Sequence, residues 1–351
     1  MTWQTQRAQP HEPGRSPGHV PQPAGPAGAG PPLPYPAGWF LLARSRDLAA
    51  KAVITRRFAG EDVVLYRTRA GAAHAVRPYC PHLGAHFGRG GTVEGDNLVC
   101  PFHRFAFAPD GTCVRTPEGP PPRARAEPYS VRERNGMIFA WHGHDSTPPA
   151  WELPEEPGPD VTPAAWWSTD VLTHPQEVIE NITDYRHAAT LHRVPTEETA
   201  PLETDGPLLR LSLRSGLDHV PVLGTLSGDQ AVLLAGLGLL YSRVDMPRFG
   251  LRFHLWSLPT PIAPWTSRLR FASACTITDP ARRPALRRRA SQHALTTVLA
   301  RGVGKAAVRV LKQDITIWNH KRYEPHPRLA AGDEAIGHYR HWARQFYPTT
   351  Y

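Results

Sequence analysis

Two short cysteine–histidine motifs limit what this chain can fold into more than any other feature of its sequence. The first reads Cys-Pro-His at residues 80–82, and the second reads Cys-Pro-Phe-His at residues 100–103, with seventeen residues between them. Two thiolates and two imidazoles on two loops suit a [2Fe–2S] cluster in which histidines replace two of the four cysteines. Zinc is the alternative, but its paired ligands usually stand two to four residues apart, not one as in the first motif.

In such a cluster the two cysteines hold the inner iron and the two histidines hold the outer iron. The predicted ligands are Cys80, His82, Cys100 and His103. The proline that follows each cysteine stiffens its ligand loop. Glycines at positions 84, 88, 90 and 91 allow the tight turns that a loop covering a cluster needs.

A second candidate metal site lies in the segment 180–192. Asn181, Asp184, His187 and His192 follow one another at steps of three, three and five residues. Steps of three keep side chains on one stripe of a helix, but a step of five does not. Both histidines can therefore reach one metal only if the helix breaks or bulges between them. Two imidazoles and a carboxylate with open positions are the ligands of non-haem Fe(II) oxygenases; two ordinary histidines, in a chain with eighteen, are the alternative.

Asp314 is the predicted third ligand of this second site. It stands in the run 311–323 after a long helical pattern, between apolar neighbours, where a buried carboxylate needs a strong partner. An iron ion would be such a partner. A local ion pair with Lys312 or Lys321 is the alternative.

With these motifs the chain resembles the oxygenase (alpha) component of the Rieske non-haem iron oxygenases. The cluster motifs, the glycines at 90–91 and the Asp-Gly pair at 110–111 carry the first half of the resemblance. The run Gln-Asp-x-x-Ile-Trp-x-x-Lys at 313–321 is similar to that of the cholesterol 7-desaturases and 3-ketosteroid 9α-hydroxylases. The resemblance covers about residues 38–325. Arg104 departs from it, because many relatives carry an aromatic residue there.

The resemblance implies an α+β fold, with an N-terminal all-β Rieske domain and a helix-grip (START-like) catalytic domain whose curved antiparallel sheet wraps around a long C-terminal helix. The predicted division is a disordered proline-rich tail at 1–37, the Rieske domain at 38–145 and the mononuclear iron domain at 146–351. A helical pattern runs from about Pro284 to Trp318, and the segment 180–192 is predicted to lie on another helix. Runs of β-favouring residues predict strands at Ala52–Phe58, Asp62–Arg67, Ala72–Val76, Leu98–Cys100, Met137–Trp141, Leu208–Leu213, Ala231–Val244, Leu251–Leu258 and Leu269–Ile277.

The resemblance also implies an activity. An external ferredoxin or reductase would supply electrons through the Rieske cluster to a mononuclear Fe(II), where O2 oxidises a hydrophobic substrate. A steroid-like polycycle, hydroxylated or desaturated, is the predicted substrate, and an aromatic or specialised-metabolite scaffold is the runner-up. A Rieske electron-transfer protein, or a lipid-binding relative without oxygenase activity, is the alternative from another class.

Further implications concern the site and the assembly. The family forms ring-shaped homotrimers in which Asp184 would link His187 to His103 of the partner subunit, and Asn181 joins Asp184 as a predicted catalytic residue. Leucines at 233–234 and 239–240 are predicted to border an apolar cavity. Arg243, Arg252 and Arg270 are predicted to lie near the ends of strands. None of them is therefore expected to bind a substrate carboxylate deep in the cavity.

The composition of the chain bears on its partners and on its cell compartment. The net charge of +9 is mostly arginine spread along the chain, without interleaved aromatics, so no nucleic-acid partner is expected. The densest basic run, 282–289, suits a solvated helix face or a docking surface for an acidic electron donor. Cys113 and Cys275 remain outside the cluster, too few for a disulfide framework, which favours the cytoplasm. No signal peptide and no apolar run long enough for a membrane span are visible.

Overall fold

The computed structural model describes residues 33–220, 224–279 and 289–349. Its N-terminal part is all β, as predicted. The strands there are β1 Gly38–Arg44, β2 Val53–Phe58, β3 Glu61–Arg67, β4 Ala73–Val76, β5 Thr92–Glu94, β6 Asn97–Val99, β7 Ala106–Phe107, β8 Cys113–Arg115, β9 Pro128–Tyr129, β10 Val131–Arg134 and β11 Met137–His142. They form antiparallel sheets with the orders β1-β11-β10, β2-β3-β4-β9 and β5-β6-β7-β8.

The strands predicted in this part are confirmed to within one residue at each end. Short runs of β-branched and aromatic residues are separated by turn residues in this part of the sequence. This pattern is typical of half-buried strands in small stacked sheets. The third sheet carries the two loops that hold the cluster motifs, because one motif precedes β5 and the other lies between β6 and β7. The fold therefore brings the two motifs to one end of the N-terminal part.

The C-terminal part is built on one curved sheet of seven antiparallel strands. Their bounds are β12 Ala165–Val171, β13 Thr196–Asp205, β14 Leu208–Val220, β15 Gly224–Ala235, β16 Leu239–Met246, β17 Leu251–Ala263 and β18 Thr266–Ile277. The order is β12-β18-β17-β16-β15-β14-β13. Consecutive strands from β13 to β18 are neighbours, whereas β12 closes the far edge beside β18.

The predicted single strand Ala231–Val244 is wrong, since it is a hairpin of β15 and β16. The chain turns at Gly236, whose φ of +56° lies in the left-handed region that favours glycine. Gly238 lies against the backbone oxygen of Trp39, and a Cβ atom there would come within 2.2 Å of it. An unbroken apolar run thus hides a turn that only its glycines reveal.

Four helices accompany the sheet in the described residues. They are α1 Pro175–Glu180, α2 Tyr185–Thr190, α3 Arg289–Trp318 and α4 Glu334–Ala343. The predicted long C-terminal helix is confirmed as α3 and ends at Trp318, while residues 284–288 at its predicted start lie outside the described residues. The α3 helix packs on β18 and on its edge neighbour β12, and Ser273 Oγ of β18 donates a 2.9 Å hydrogen bond to the carbonyl of Ala300 in α3.

The two parts of the chain share a hydrophobic core. Trp39, Phe139 and Trp141 of the N-terminal sheets pack with Leu233 and Trp256 of the large sheet. On the opposite face of that sheet, a second core surrounds Trp342 and Phe346 near α4, and it includes leucines 234 and 240. Leu233 also lines a small cavity of about 140 Å³. That leucines 234, 239 and 240 border an apolar cavity stays a prediction.

Arg270 also differs from its predicted place. It lies in the middle of β18, not near a strand end, and its guanidinium donates to the carbonyls of Leu41 and Leu42 in the N-terminal part. Burial lowers the pKa of Arg270 to about 10. Arg243 also lies in the middle of its strand, β16, whereas Arg252 is the second residue of β17 and stands near a strand end as predicted. Each of these two arginines pairs with Asp245. Arg270 thus ties the two parts of the chain together.

The predicted N-terminal tail meets this fold at its last residues. Leu33 is buried, and Ala37 N donates a 2.8 Å hydrogen bond to Phe346 O. The carbonyl of Pro34 lies 3.2 Å from Nε2 of His174. Residues 33–37 therefore pack on the catalytic half of the chain, while residues 1–32 of the predicted tail lie outside the described residues. Among the described helices, none is both long and apolar enough to cross a bilayer.

Candidate metal centres

The two cluster loops have the same backbone design. In each loop the cysteine N–H donates to the carbonyl five residues on, from Cys80 to Ala85 and from Cys100 to Phe105. Each cysteine carbonyl accepts from the residue four on, which is Gly84 in one loop and Arg104 in the other. Both of these residues have a positive φ, at +73° and +58°. Arg104 therefore occupies a turn position that glycine fills in the other loop.

The thiols and the imidazoles of these loops lie at different depths. Cys80 and Cys100 are buried next to each other, and burial raises the pKa of the Cys80 thiol to about 11. His82 is exposed and His103 is half-buried, with their ring centroids 4.9 Å apart. The Phe105 ring stacks on His82 at 4.3 Å. Two adjacent buried thiols beneath two outer imidazoles are the donors that a cluster with histidines on its outer iron requires.

The segment that carries the second site is not one helix. The α1 helix ends at Glu180, a single 3-10 turn covers 181–183, and α2 begins after Asp184. Asp184 is the N-cap of α2, because its Oδ1 accepts a 3.1 Å hydrogen bond from the backbone N–H of His187. The expected stripe of residues along one helix is therefore wrong. The expected break between the two histidines is confirmed, since α2 ends at Thr190, before His192.

The break brings the predicted ligands together. Ligand atoms of His187, His192 and Asp314 all lie within 4.8 Å of one another. Nε2 of His192 is 2.9 Å and Nε2 of His187 is 3.7 Å from Oδ1 of Asp314. Nε2 of His192 is buried, yet it lacks the alignment of a hydrogen bond to that oxygen. Two cis ligands at metal bonds near 2.1 Å are about 3 Å apart without facing each other, so the spacing and the misalignment both fit a shared metal ion.

Asp314 lies deep in the fold, with 4% of its surface exposed. Burial raises the pKa of its carboxyl, although His192, His187 and Asn181 act in the opposite direction. The alternative ion pair with Lys321 is not formed, because Lys321 Nζ lies 2.8 Å from the buried carboxylate of Glu177. A buried carboxylate between two imidazoles is a strong donor set for a divalent cation.

Asn181 and Asp184 both contact the ring of His187. Nδ2 of Asn181 lies 3.0 Å from Nε2 of His187, and Nδ1 of His187 lies 2.5 Å from the backbone oxygen of Asp184. The Asp184 carboxylate is farther from that ring nitrogen, at 3.7 Å. The expectation that this carboxylate accepts the second ring N–H is therefore wrong, since the Asp184 carbonyl takes that place.

Gln313 orients the other histidine. Its Oε1 lies 3.1 Å from Nδ1 of His192, so Nε2 is left to face Asp314. The sequence pattern places Gln313 beside Asp314 in the C-terminal run but predicts no contact for its side chain. The same run anchors the helix end, because Trp318 is buried and the Asn319 side chain accepts from the backbone N–H of Leu172. The run thus builds the site as well as marking it.

Two known protein families match most of this chain. Residues 38–130 match the Rieske [2Fe–2S] domain, and residues 140–347 match the 3-ketosteroid 9alpha-hydroxylase C-terminal domain. The chain belongs to the Rieske non-haem iron oxygenases. As a Rieske oxygenase it is an oxidoreductase that uses a [2Fe–2S] cluster and a mononuclear non-haem iron.

Relatives and solved structures agree with this membership. The oxygenase is 30% identical to cholesterol 7-desaturase nvd of Xenopus laevis, over 90% of this chain and 72% of that protein. It is 27% identical to the probable 3-ketosteroid-9-alpha-monooxygenase, oxygenase component, of Rhodococcus rhodochrous, over 90% and 81%.

Two solved structures share the fold of this oxygenase. Dicamba monooxygenase bound to dicamba aligns with a TM-score of 0.60 at 18% identity, over 88% of this chain and 96% of that one. NdmA of Pseudomonas putida with caffeine aligns with a TM-score of 0.63 at 16% identity, over 87% and 89%. These similarities support the all-β Rieske domain and the sheet-and-helix catalytic domain described above.

Proposed function

We propose that this Rieske oxygenase oxidises a steroid-like polycyclic substrate with O2, by hydroxylation or desaturation at an unactivated C–H bond. The observation that supports the proposal is the convergence of His187, His192 and Asp314, which would hold a catalytic iron in addition to the Rieske cluster. The substrate class rests on the relatives, which are named for cholesterol and for 3-ketosteroids, and on the family match of residues 140–347.

In this proposal Cys80 and Cys100 hold the inner iron of the cluster, and His82 and His103 hold the outer iron. The depth of the side chains supports this order, because the thiols are buried and the imidazoles lie outward. The backbone bonds that close each loop would keep the ligands in place when the cluster changes its charge.

His187, His192 and Asp314 are the proposed ligands of the mononuclear iron, which supplies O2 activation when bound. Asn181 lies close enough to His187 to position it or to contact a ligand beside it. Asp184 holds the same histidine through its backbone oxygen and caps the helix through its carboxylate. We therefore assign Asn181 and Asp184 roles in the catalytic site.

We further propose that the oxygenase works as a homotrimer supplied with electrons by an external ferredoxin or reductase. The surface around the cluster supports a docking role, because Tyr79, Leu83 and Phe102 are each more than 60% exposed beside the ligand histidines. The Asp184 side chain is about one-third exposed, so its free oxygen can meet His103 of the partner subunit. In this assembly the electron passes from the Rieske cluster of one subunit to the mononuclear iron of its neighbour. In each chain the boundary between the Rieske domain and the catalytic domain lies at about residue 145.

The substrate proposal is tested on the reduced, oxygen-free enzyme. Cholesterol and a 3-ketosteroid are titrated while the spectrum of the mononuclear Fe(II) is recorded, and benzoate serves as the comparison ligand. We expect a saturable spectral change and coupled O2 uptake with at least one of the two steroids, and none with benzoate. A response to benzoate alone would overturn the substrate class but leave the metal sites intact.

A further inference from the structure

A cavity of about 580 Å³ opens between α3 and the edge strand β12. Lys312 of α3 lines this cavity, which we call the α3 groove. Asp314, two residues further along, points about 200° away around the helix. The α3 groove therefore lies on the side of α3 opposite the proposed iron ligands, and the proposed oxidation does not account for it.

The floor of the α3 groove is aromatic. Trp167 and Phe271 are directly paired neighbours on β12 and β18, so both point to the same face of the sheet and line the groove, with Trp167 only partly buried. Trp166 points to the opposite face of β12, where it packs on the core around Trp39 and the guanidinium of Arg44 lies over its ring, 5.9 Å from the centroid. A partly buried indole in a concave site is suited to stacking with a planar group.

The rim of the α3 groove is strongly basic. Its α3 side presents four exposed cations at steps of four, four and three residues, which place them on one helix face: Arg301, Lys305, Arg309 and Lys312. Arg46 adds a fifth from the turn after β1. Within the described residues none of the five forms an ion pair, and the nearby Asp47 is already bound by Arg44 at 2.6 Å.

The row of cations along α3 destabilises the helix when no anion is bound beside it. Like charges three or four residues apart destabilise a helix, and the described part of the chain supplies no carboxylate to neutralise these. Five cations also exceed what a single carboxylate would need. The volume of the cavity lies within the range of small-molecule sites, whereas a docking protein would need a broader surface.

We propose that the α3 groove binds a small multivalent anion joined to a flat apolar or aromatic group. The anionic part contacts the cations of α3 and Arg46, where guanidinium groups can form paired hydrogen bonds with phosphate or carboxylate oxygens. The flat part stacks on Trp167. The site is separate from the iron centre, so it acts as a second binding site of the enzyme.

Calorimetric titration of the intact oxygenase tests this proposal with three probes. ADP carries both a flat group and two phosphates, pyrophosphate carries charge alone, and adenosine carries the flat group alone. At low salt we expect ADP to bind once per chain, pyrophosphate to bind more weakly and adenosine not to bind. Raising the salt should weaken ADP binding at least tenfold, because exposed charges are screened. Equal affinity for ADP and adenosine, or no ADP binding at low salt, would overturn the proposal.

A matched pair of double variants locates the site. Arg301→Glu with Arg309→Glu removes two groove cations, and Arg69→Glu with Arg328→Glu makes the same charge change at exposed arginines outside the groove. We expect the first pair to weaken ADP binding at least tenfold and the second to leave it nearly unchanged. Equal losses in both would show a general charge effect and contradict the proposal.

Thermal unfolding gives a second readout on the same variants. Each new carboxylate of the groove variant lies four residues from Lys305, so repulsion becomes attraction along α3. We expect its Tm to equal or exceed that of the parent while binding is lost. A groove variant that loses ADP binding only because it unfolds would show a large drop in Tm, and that result would contradict the assignment. The iron content should be the same in both variants, which separates this test from the proposed oxidation.

Discussion

The cluster loops and the mononuclear iron site hold their ligands in different ways. The four proposed cluster ligands lie within a stretch of 24 residues, on two loops of the same design, with the imidazoles outward. The iron site joins a broken helix to a residue more than 120 positions further on, and its carboxylate is buried. Local turns therefore build the cluster site, whereas tertiary packing builds the iron site.

The two sites also differ in the task that their surroundings suit. Outward-facing imidazoles with apolar side chains around them can receive an electron from a docked partner. A buried carboxylate between two largely buried histidines would hold a metal with little access to bulk water. Changes at one site should therefore leave the other intact, and four substitutions test that independence.

Asp314→Ala should have the largest effect. Removing the buried carboxylate leaves only two imidazoles, so we expect loss of the mononuclear iron and of turnover, while the visible spectrum of the cluster is unchanged. Iron analysis and spectroscopy of the purified variant measure both. Asp170→Ala is the control, because it removes an exposed carboxylate that pairs with Arg268 at the sheet edge. Retained iron and activity in the Asp314 variant would place the carboxylate ligand elsewhere.

His103→Cys should act on the cluster alone. A third thiolate should lower the cluster potential from the roughly −150 to +300 mV range toward about −400 mV, and turnover should stop. Redox titration checks this, with iron analysis to show that the mononuclear site stays loaded. His86→Ala is the matched control in the same loop, since His86 lies beside Asp62 and Gly88 and is not a proposed ligand. An unchanged potential in the His103 variant would contradict the outer-iron assignment.

Asp184→Asn should slow turnover by roughly 10- to 100-fold while both metal sites stay loaded. Asparagine also caps helices well, so α2 should form as before, and only the carboxylate that would link the two sites between subunits is lost. Single-turnover kinetics of the reduced enzyme measures the electron transfer step. Asp170→Asn provides the comparison. Full activity in the Asp184 variant, or an active monomer, would refute the bridge.

Gln313→Leu should have the smallest effect of the four. It removes the acceptor for Nδ1 of His192, so we expect iron affinity to fall by roughly tenfold, because the ring is less firmly oriented. Gln313→Glu keeps an acceptor at that position and should bind iron nearly as the parent does. Titration with Fe(II) after chelation compares them. Identical affinities for all three proteins would remove Gln313 from the site.

The same contrast explains what the sequence could predict. The two cluster motifs could be recognised from their spacing and from the glycines around them, and the fold brings both motifs to one end of the N-terminal part. The role of their cysteines and histidines as ligands stays a prediction. The strand positions in the N-terminal part could be predicted because runs of β-favouring residues there are bounded by turn residues. For the iron site, spacing predicted a break between the two histidines but not its cause, since the capping bond of Asp184 competes with helix continuation only in the folded chain.

Other features depended on tertiary contacts that periodicity does not encode. Arg270 binds backbone carbonyls of the other domain, and the leucine pairs at 233–234 and 239–240 fill cores on both faces of one sheet. Gln313 is a neighbour of His192 only because α3 passes the end of α2. Each of these arises from residues distant in sequence that meet in the fold.

The most direct test of the account is the iron and acid-labile sulfide content of the purified oxygenase. A Rieske cluster with a mononuclear site at His187, His192 and Asp314 predicts about three irons and two sulfides per chain. Two irons with two sulfides would leave a cluster without a catalytic iron and contradict the oxygenase mechanism. Zinc without sulfide would contradict the cluster itself.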